Sequence, residues 1–249
     1  MKLMVQIPCY NEAGTLPEVL RDIPKSIEGI SVIEVLIIDD GSTDETVAVA
    51  RQHGVQHIVS HKANKGLARS FQSGIERCIE LGADIIVNTD GDNQYAGSSI
   101  PDLVRPIVEG KADVVIGDRQ PGRNTDFSLL KRLLQRLGSA VVRHVARVDV
   151  GDAVSGFRAY SRDAALKINV MTSFSYTTET LIHVGQQGLL VKSVHVDTNP
   201  VTRPSRLFKS MGHFIKKQVA TILRSYAMYR PLHAFSMLGA TMILIGLIP

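Results

Sequence analysis

The strongest chemical signal in the chain is Asn88-Thr89-Asp90-Gly91-Asp92-Asn93-Gln94, which directly follows a short apolar run. In extended backbone, residues i and i+2 point the same way, so Asp90 and Asp92 aim both carboxylates at one point. Gly91 between them keeps the backbone clear of a bulky ligand. Hard oxygen ligands at this spacing suit Mg²⁺ or Mn²⁺, which bind the diphosphate of a nucleotide, and Gln94 adds a third oxygen. A solvated turn or the opening of a calcium loop would use the same residues. The calcium loop needs a later bidentate acid, however, and position 101, where it should fall, is Pro.

Three other stretches carry polar groups at the ends of apolar runs. Asp39-Asp40-Gly41-Ser42 places two acids side by side. They suit ribose hydroxyls or a base N–H, since carboxylates only accept hydrogen bonds, or else an Asx turn with a helix cap. Pro8-Cys9-Tyr10-Asn11-Glu12 reads as a polar turn. Gly117-Asp118-Arg119 offers a guanidinium for phosphate oxygens, and Arg203 and Arg206 offer two more further along.

These stretches need a scaffold that brings them to one edge. Leu3–Pro8, Glu34–Asp39, His57–Ser60, Asp84–Thr89 and Asp113–Gly117 are short and rich in Val and Ile, as strands buried on both faces of a parallel sheet should be. Helical patterns at Leu16–Ile27, Asp44–His53, Leu67–Leu81 and Ile100–Glu109 alternate with them. Ser42 and Glu45 have the capping-box spacing, which starts a helix directly after Gly41. The alternation predicts an α/β fold with an open, doubly wound, mainly parallel sheet flanked by helices, whose ligands bind beyond the carboxyl ends of the strands. Further on, Phe127–Ala146 and Thr177–Gln186 read as helices, and Ala153–Tyr160 and Leu189–Val196 as strands.

At 249 residues, 44% hydrophobic and 21% charged, the chain is long enough to bury a core without staples. Cys9 and Cys78 make no disulfide framework and suit a reducing compartment. No signal peptide opens the sequence. The net charge of +4 hides an asymmetry. Residues 200–249 hold Arg203, Arg206, Lys209, Lys216, Lys217, Arg224 and Arg230 and no acid, so the other 199 carry 21 of the 28 basic residues and all 24 acidic ones. Such a tail wants an anionic partner. Leu207–Tyr229 fits an amphipathic helix lying in a membrane interface or packed on its own domain. Ala234–Pro249 carries no charge over 16 residues, short of the roughly 20 that span a bilayer, and is expected to be the start of a transmembrane helix cut by the end of the sequence. The basic cluster before it marks the cytoplasmic side, giving a membrane-associated protein with its catalytic domain in the cytoplasm. No dinucleotide fingerprint, phosphate loop or nucleophile elbow occurs, and no nucleic-acid recognition motif accompanies the basic residues.

Taken together, these residues resemble the family 2 glycosyltransferases of GT-A fold, with closest similarity to the polyprenyl-phosphate group typified by dolichol-phosphate mannosyltransferase. The resemblance rests on Ile7–Glu12, Ile37–Asp44, Asn64-Lys65-Gly66 with Gly74, Asp90–Gln94, Gly156-Phe157-Arg158 and Ser205-Arg206-Leu207. It implies a catalytic domain over 1–200, a basic membrane-interface segment over 201–231 and the start of a membrane helix over 232–249. It implies that Pro8, Tyr10, Glu12 and Asp39 hold the base and ribose of a UDP- or GDP-sugar, with Asp90 on the same donor. Asp90, Asp92 and Gln94 would hold the metal. Asp92, Arg119 and Arg206 would be catalytic, and Arg119, Arg203 and Arg206 would meet an acceptor phosphate. Asp118-Arg119-Gln120 stands where relatives often carry Ser-Arg-Tyr, and Arg206 where the mannosyltransferase type often has Lys, keeping the charge and altering its geometry. The expected reaction is inverting transfer to a polyprenyl phosphate, whose anionic oxygen needs little help from a base. A glycolipid or polysaccharide hydroxyl would need one, from Asp118, Asp152 or Glu179. The processive synthases of the superfamily carry a Gln-x-x-Arg-Trp signature, and this chain has no Trp. A third possibility is a membrane-tethered nucleotide-binding protein without catalysis.

Overall fold

The computed structural model describes residues 1–120, 140, 142–143, 145–171, 176–200, 212, 219–221, 223–224, 226–228 and 231–246. They fall into two compact units, Met1–Pro204 and Ser205–Pro249. In the first unit, β1 (Lys2–Cys9), β2 (Val32–Asp39), β3 (His57–Ser60), β4 (Ile85–Asn88), β5 (Val114–Asp118), β6 (Arg158–Ser161) and β7 (Val191–His195) form one sheet in the order β3-β2-β1-β4-β6-β5-β7. The helices are α1 (Leu16–Asp22), α2 (Thr46–Gln52), α3 (Leu67–Glu80), α4 (Ile100–Val108), α5 (Arg162–Lys167) and α6 (Tyr176–Gln186).

Central β1 pairs in parallel with β2 and with β4, and Leu3, Met4, Val5 and Ile7 are wholly buried between the helical layers. That explains its unbroken apolar run, because a parallel strand meets helices on both faces. β3 joins β2 in parallel, as β7 joins β5. The sheet is therefore mostly parallel. The exception is β6, which lies antiparallel between β4 and β5. The strand expected over 153–160 begins only at Arg158, and a turn with Ser155 N–H donating to Asp152 O at 3.3 Å leads into it. This antiparallel insertion carries residues 150–157 to the edge where β4 and β5 end.

Several boundaries differ from the sequence reading for local reasons. α1 stops at Asp22 because Pro24 forces Ile23 out of the helical region, to ψ 125°. α2 starts at Thr46, and Ser42 does not cap it; the Ser42 oxygen accepts instead from the Asn11 N–H. α5 was not anticipated, although Ser161 caps it by accepting from Ala164 N–H at 3.1 Å. The helix expected over 127–146 lies mostly outside the described residues, which are helical at 140, 142, 143, 145 and 146. Arg203, Arg206 and most of the Leu207–Tyr229 segment also lie outside them.

In the second unit, α7 (Pro231–Gly246) has 16 residues, about 24 Å at 1.5 Å each. No helix among the described residues is long and apolar enough to cross a membrane, so the expected start of a transmembrane span gains no support. The helix is nonetheless strongly apolar and exposes Leu232, Phe235, Met242, Ile243, Leu244 and Ile245.

One buried cation ties the β6 insertion to α6. Arg158 is 1% exposed, and its guanidinium donates to the carbonyls of Ser155, Ala153 and Thr177 and to Thr180 Oγ1, all at 2.8–2.9 Å. Truncating it leaves buried acceptors without donors, at about 1–3 kcal/mol each. Arg158→Met is expected to destabilise the protein by roughly 3 kcal/mol or more; a chemical denaturation midpoint equal to wild type would contradict this.

Candidate active site

The turns after β1 and β2 are bolted to each other before any ligand arrives. Asn11 takes a left-handed conformation, φ 55°, that Asn tolerates better than most residues. Its N–H donates to Ser42 Oγ at 2.9 Å, and its Oδ1 accepts from Thr43 N–H at 2.8 Å. Next to it, Glu12 N–H donates to Thr46 Oγ1 at 2.9 Å and Ala13 N–H to Asp44 Oδ2 at 3.1 Å. Thr15 extends the frame to the third turn, its hydroxyl donating to Gly91 O at 2.7 Å. Asn93, φ 60°, and Gln120, φ 48°, place further left-handed residues after β4 and β5. Such positions persist only where surrounding contacts fix them.

The adjacent acids at 39 and 40 have different partners. Asp40 is buried; its Oδ1 accepts from Lys65 N–H at 2.9 Å and lies 2.7 Å from His61 Nδ1, while its Oδ2 accepts from Gly66 N–H at 2.8 Å. It fastens the turn that opens α3. Asp39 caps its own turn, accepting from Ser42 N–H at 2.9 Å. Of the residues expected around the nucleoside, Pro8 is buried in β1, Tyr10 is 40% exposed, and Glu12 and Asp39 are nearly buried.

Asp90 and Asp92 come together with Glu12. Burial first, then the Asp92 charge, raise the Asp90 carboxyl to about 7; the Arg119 guanidinium opposes the rise and Glu12 adds to it. Burial, with Glu12, Asp39, Asp90 and Asp44 around it, also pushes the Cys9 thiol well above its ordinary range. The surroundings of Asp90 and Cys9 are therefore rich in carboxylates. Gly91 serves packing rather than ligand clearance, since a Cβ there would lie 3.0 Å from Cys9 Sγ and 3.2 Å from Glu12 Cγ. Gln94 is half-buried beside Asp92, whose Oδ1 accepts from its N–H at 3.2 Å. No group of three or more His, Cys, Asp or Glu that could hold a metal occurs among the described residues.

Arg119 is held rather than loose. Its Nε and Nη2 donate to Asp152 Oδ2 and Oδ1 at 2.6 and 3.1 Å, and its guanidinium lies 5.8 Å from the Tyr95 ring centre. Asp152 is wholly buried in this pair, so a role as general base is not available to it. Glu179 is also buried and accepts from Met171 N–H at 2.7 Å. Asp118, half-buried, accepts from Gln120 N–H at 2.8 Å. Arg203 and Arg206 lie outside the described residues. The sequence reading gave no role to Thr15, or to Asn88, Tyr95 and Tyr176, which hydrogen-bond the Gly156 backbone. Gly156 was marked by its motif, but no spacing showed that it would back onto Asp90, 3.4 Å from a Cβ placed there.

The crowding at Asp90 has a measurable consequence. A carboxyl with a raised folded pKa is destabilising when ionised. The penalty is absent below the unfolded value of about 4 and complete above about 7. In chelator, Asp90→Asn is expected to melt higher than wild type at pH 8 and to lose that advantage as the pH falls toward 4. An advantage that grows on acidification would refute the assignment.

Comparison with known proteins shows the family and the fold. Residues 4–168 match the model of glycosyl transferase family 2. Undecaprenyl-phosphate mannosyltransferase of Micrococcus luteus is 26% identical over 236 residues, covering 90% of this chain and 93% of that one. UDP-N-acetylglucosamine–dolichyl-phosphate N-acetylglucosaminyltransferase of Methanococcus voltae is 27% identical over 180 residues, covering 65% and 70%. Among solved structures, glucosyl-3-phosphoglycerate synthase from Mycobacterium tuberculosis, in complex with Mn²⁺, UDP-glucose and phosphoglyceric acid, is similar with a TM-score of 0.70. It is 21% identical, the match covers 91% of this chain and 80% of that one, and the likeness is one of GT-A fold alone. With its turns, its paired acids and two thirds of its length accounted for by one family model, the chain belongs to glycosyl transferase family 2.

Proposed function

We propose that this protein transfers a sugar, with inversion, from a nucleotide-sugar donor to a polyprenyl phosphate, with Mg²⁺ or Mn²⁺ as cofactor. The observation that carries the reading is the charge at the sheet edge. Asp92 and Glu12 crowd Asp90, and Arg119, the one cation acting on it among the described residues, is paired with Asp152. An anionic diphosphate approaching these carboxylates is repelled unless a divalent cation stands between.

The donor set fits such an ion. Mg²⁺-like cations are commonly bound through one or two carboxylates plus substrate phosphates, so Asp90 and Asp92, with the Gln94 amide oxygen, suffice without a closed cage. When bound, the ion would neutralise charge on the departing nucleoside diphosphate. Asp39 and Glu12, with Pro8 and Tyr10, line the nucleoside side. Arg119, oriented by Asp152, adds positive charge near Asp90 for a phosphate group, and Arg203 and Arg206 are assigned to the acceptor phosphate.

The acceptor assignment draws on three observations. Of the three acids that could serve a hydroxyl acceptor as base, Asp152 and Glu179 are buried in other contacts, and half-buried Asp118 accepts from the Gln120 N–H. A phosphate oxygen is already anionic and needs no such base. Relatives from Micrococcus luteus and Methanococcus voltae carry names that specify undecaprenyl and dolichyl phosphate. The exposed apolar α7 and the acid-free basic stretch before it suit a membrane surface, with the catalytic unit on the cytoplasmic side.

Thermal melts with UDP or GDP, each with and without Mn²⁺, test the donor side. At 100 times the dissociation constant, one nucleotide plus Mn²⁺ should stabilise the fold by about 2.7 kcal/mol, and Asp90→Ala/Asp92→Ala should abolish the metal-dependent part. No shift with either nucleotide would sink the reading. Incubation with undecaprenyl or dolichyl phosphate and a panel of nucleotide sugars should yield a sugar-phospholipid. Transfer only to hydroxyl acceptors would overturn the acceptor assignment.

A further inference from the structure

Beside Asp90 lies a buried polar frame. The Gly156 peptide is held at both ends. Its N–H donates to Tyr95 Oη at 3.0 Å, and its carbonyl accepts from Asn88 Nδ2 at 2.9 Å and from Tyr176 Oη at 3.3 Å. Asn88 Nδ2 also donates to Tyr176 Oη at 3.0 Å, and Asn88 Oδ1 accepts from Gln6 Nε2 at 2.9 Å. Gln6, Asn88, Tyr95 and Tyr176 are all buried. The Tyr176 ring cannot swing, since it stacks on Phe71 with centres 4.1 Å apart. A Cβ on Gly156 would stand 2.7 Å from Tyr176 Oη and 3.4 and 3.5 Å from the two Asp90 carboxylate oxygens. The Asp90 carboxylate thus lies beside Gly156, whose backbone is held by two hydroxyls and one amide.

We propose that Tyr176 is a positioning residue for glycosyl transfer: with Asn88 its hydroxyl pins the Gly156 peptide that backs the Asp90 carboxylate. The proposal rests on the reading of Asp90 as a metal-binding group. The physical reason is tolerance. A carboxylate must be held within about 0.5 Å of productive geometry by neighbours that are themselves locked. Removing the Tyr176 hydroxyl leaves one buried Asn88 N–H without its acceptor and the Gly156 carbonyl with one donor fewer. The amide can then rotate, and the peptide behind Asp90 can shift. Tyr176 touches no substrate in this scheme; it acts through Gly156.

The test uses the whole chain and the variant Tyr176→Phe, which keeps the ring on Phe71. Mn²⁺ binding in the presence of UDP or GDP is followed by electron paramagnetic resonance, and initial rates are measured against Mn²⁺. The Mn²⁺ concentration for half-saturation should rise about 10–100-fold in both readouts, as when an outer partner of a metal ligand is lost. Nucleotide binding without metal should stay unchanged. Tyr160→Phe, in the same aromatic cluster with its ring 5.9 Å from Phe71, should leave the Mn²⁺ dependence at the wild-type value. Gly156→Ala supplies an independent arm. It should impair Mn²⁺ binding in the wild-type background and impair it less in Tyr176→Phe, where the 2.7 Å conflict with the hydroxyl is gone. Unchanged Mn²⁺ dependence in Tyr176→Phe overturns the proposal, as does an equal Gly156→Ala effect in both backgrounds. If wild type binds nucleotide without any Mn²⁺ dependence, the metal reading of Asp90 falls and the proposal with it.

Discussion

The structure depends on holding like charges together at the open edge of a sheet. Asp90 is desolvated and stands beside Asp92 and Glu12, with the Arg119 guanidinium opposing them. Left to relax, such carboxylates would separate or take up protons. They stay because the backbone beneath them is fixed by neutral hydrogen bonds that do not depend on ionisation. Thr15 holds the Gly91 carbonyl, Tyr95 and Asn88 hold the Gly156 peptide, and the Asn11 and Ser42 pair locks the turns after β1 and β2. Charge crowding of this kind costs folding stability and is characteristic of sites built to receive a cation or a substrate.

The same logic separates acids that resemble each other in sequence. Asp39 and Asp40 are neighbours at the end of β2, yet alternation along extended backbone sends their side chains to different surroundings. Asp40 meets two backbone N–H groups and His61, and becomes the clamp for the turn before α3. Asp39 stays with its own turn, close enough to Cys9 to help raise its thiol. Asp152 and Arg119 show a comparable division. The Asp152 carboxylate is consumed in orienting the Arg119 guanidinium, so two residues expected in separate roles form one unit.

The antiparallel strand β6 makes this unit possible. By entering between β4 and β5, it runs opposite to both and begins where they end. Its approach segment therefore delivers Asp152 to Arg119 and Gly156 to Asp90. Arg158, buried among carbonyls, anchors that segment to α6 and so holds Tyr176 on the same side. A wholly parallel sheet would have left the edge beside β4 to another crossover helix and provided no such wall.

The sequence by itself determined the parallel half of the sheet, the turns that follow its strands and the pairing of Asp90 with Asp92. These follow from local rules: strand runs of Val and Ile, the period of extended backbone and the acids at strand ends. The ends of α3, α4 and α6 were legible to within a residue, whereas the stop that Pro24 imposes on α1 was not read, and the capping pattern at Ser42 misled because its oxygen found a partner 31 residues away. What only the tertiary structure decided was the direction of β6, the burial of Asp152 and Glu179 and the frame of Asn88, Tyr95 and Tyr176 around Gly156. The frame depends on pairings between residues 61 to 88 positions apart, and Asp152 is paired with Arg119, 33 positions away. No periodicity or local propensity encodes such pairings, because they exist only once distant strands have met.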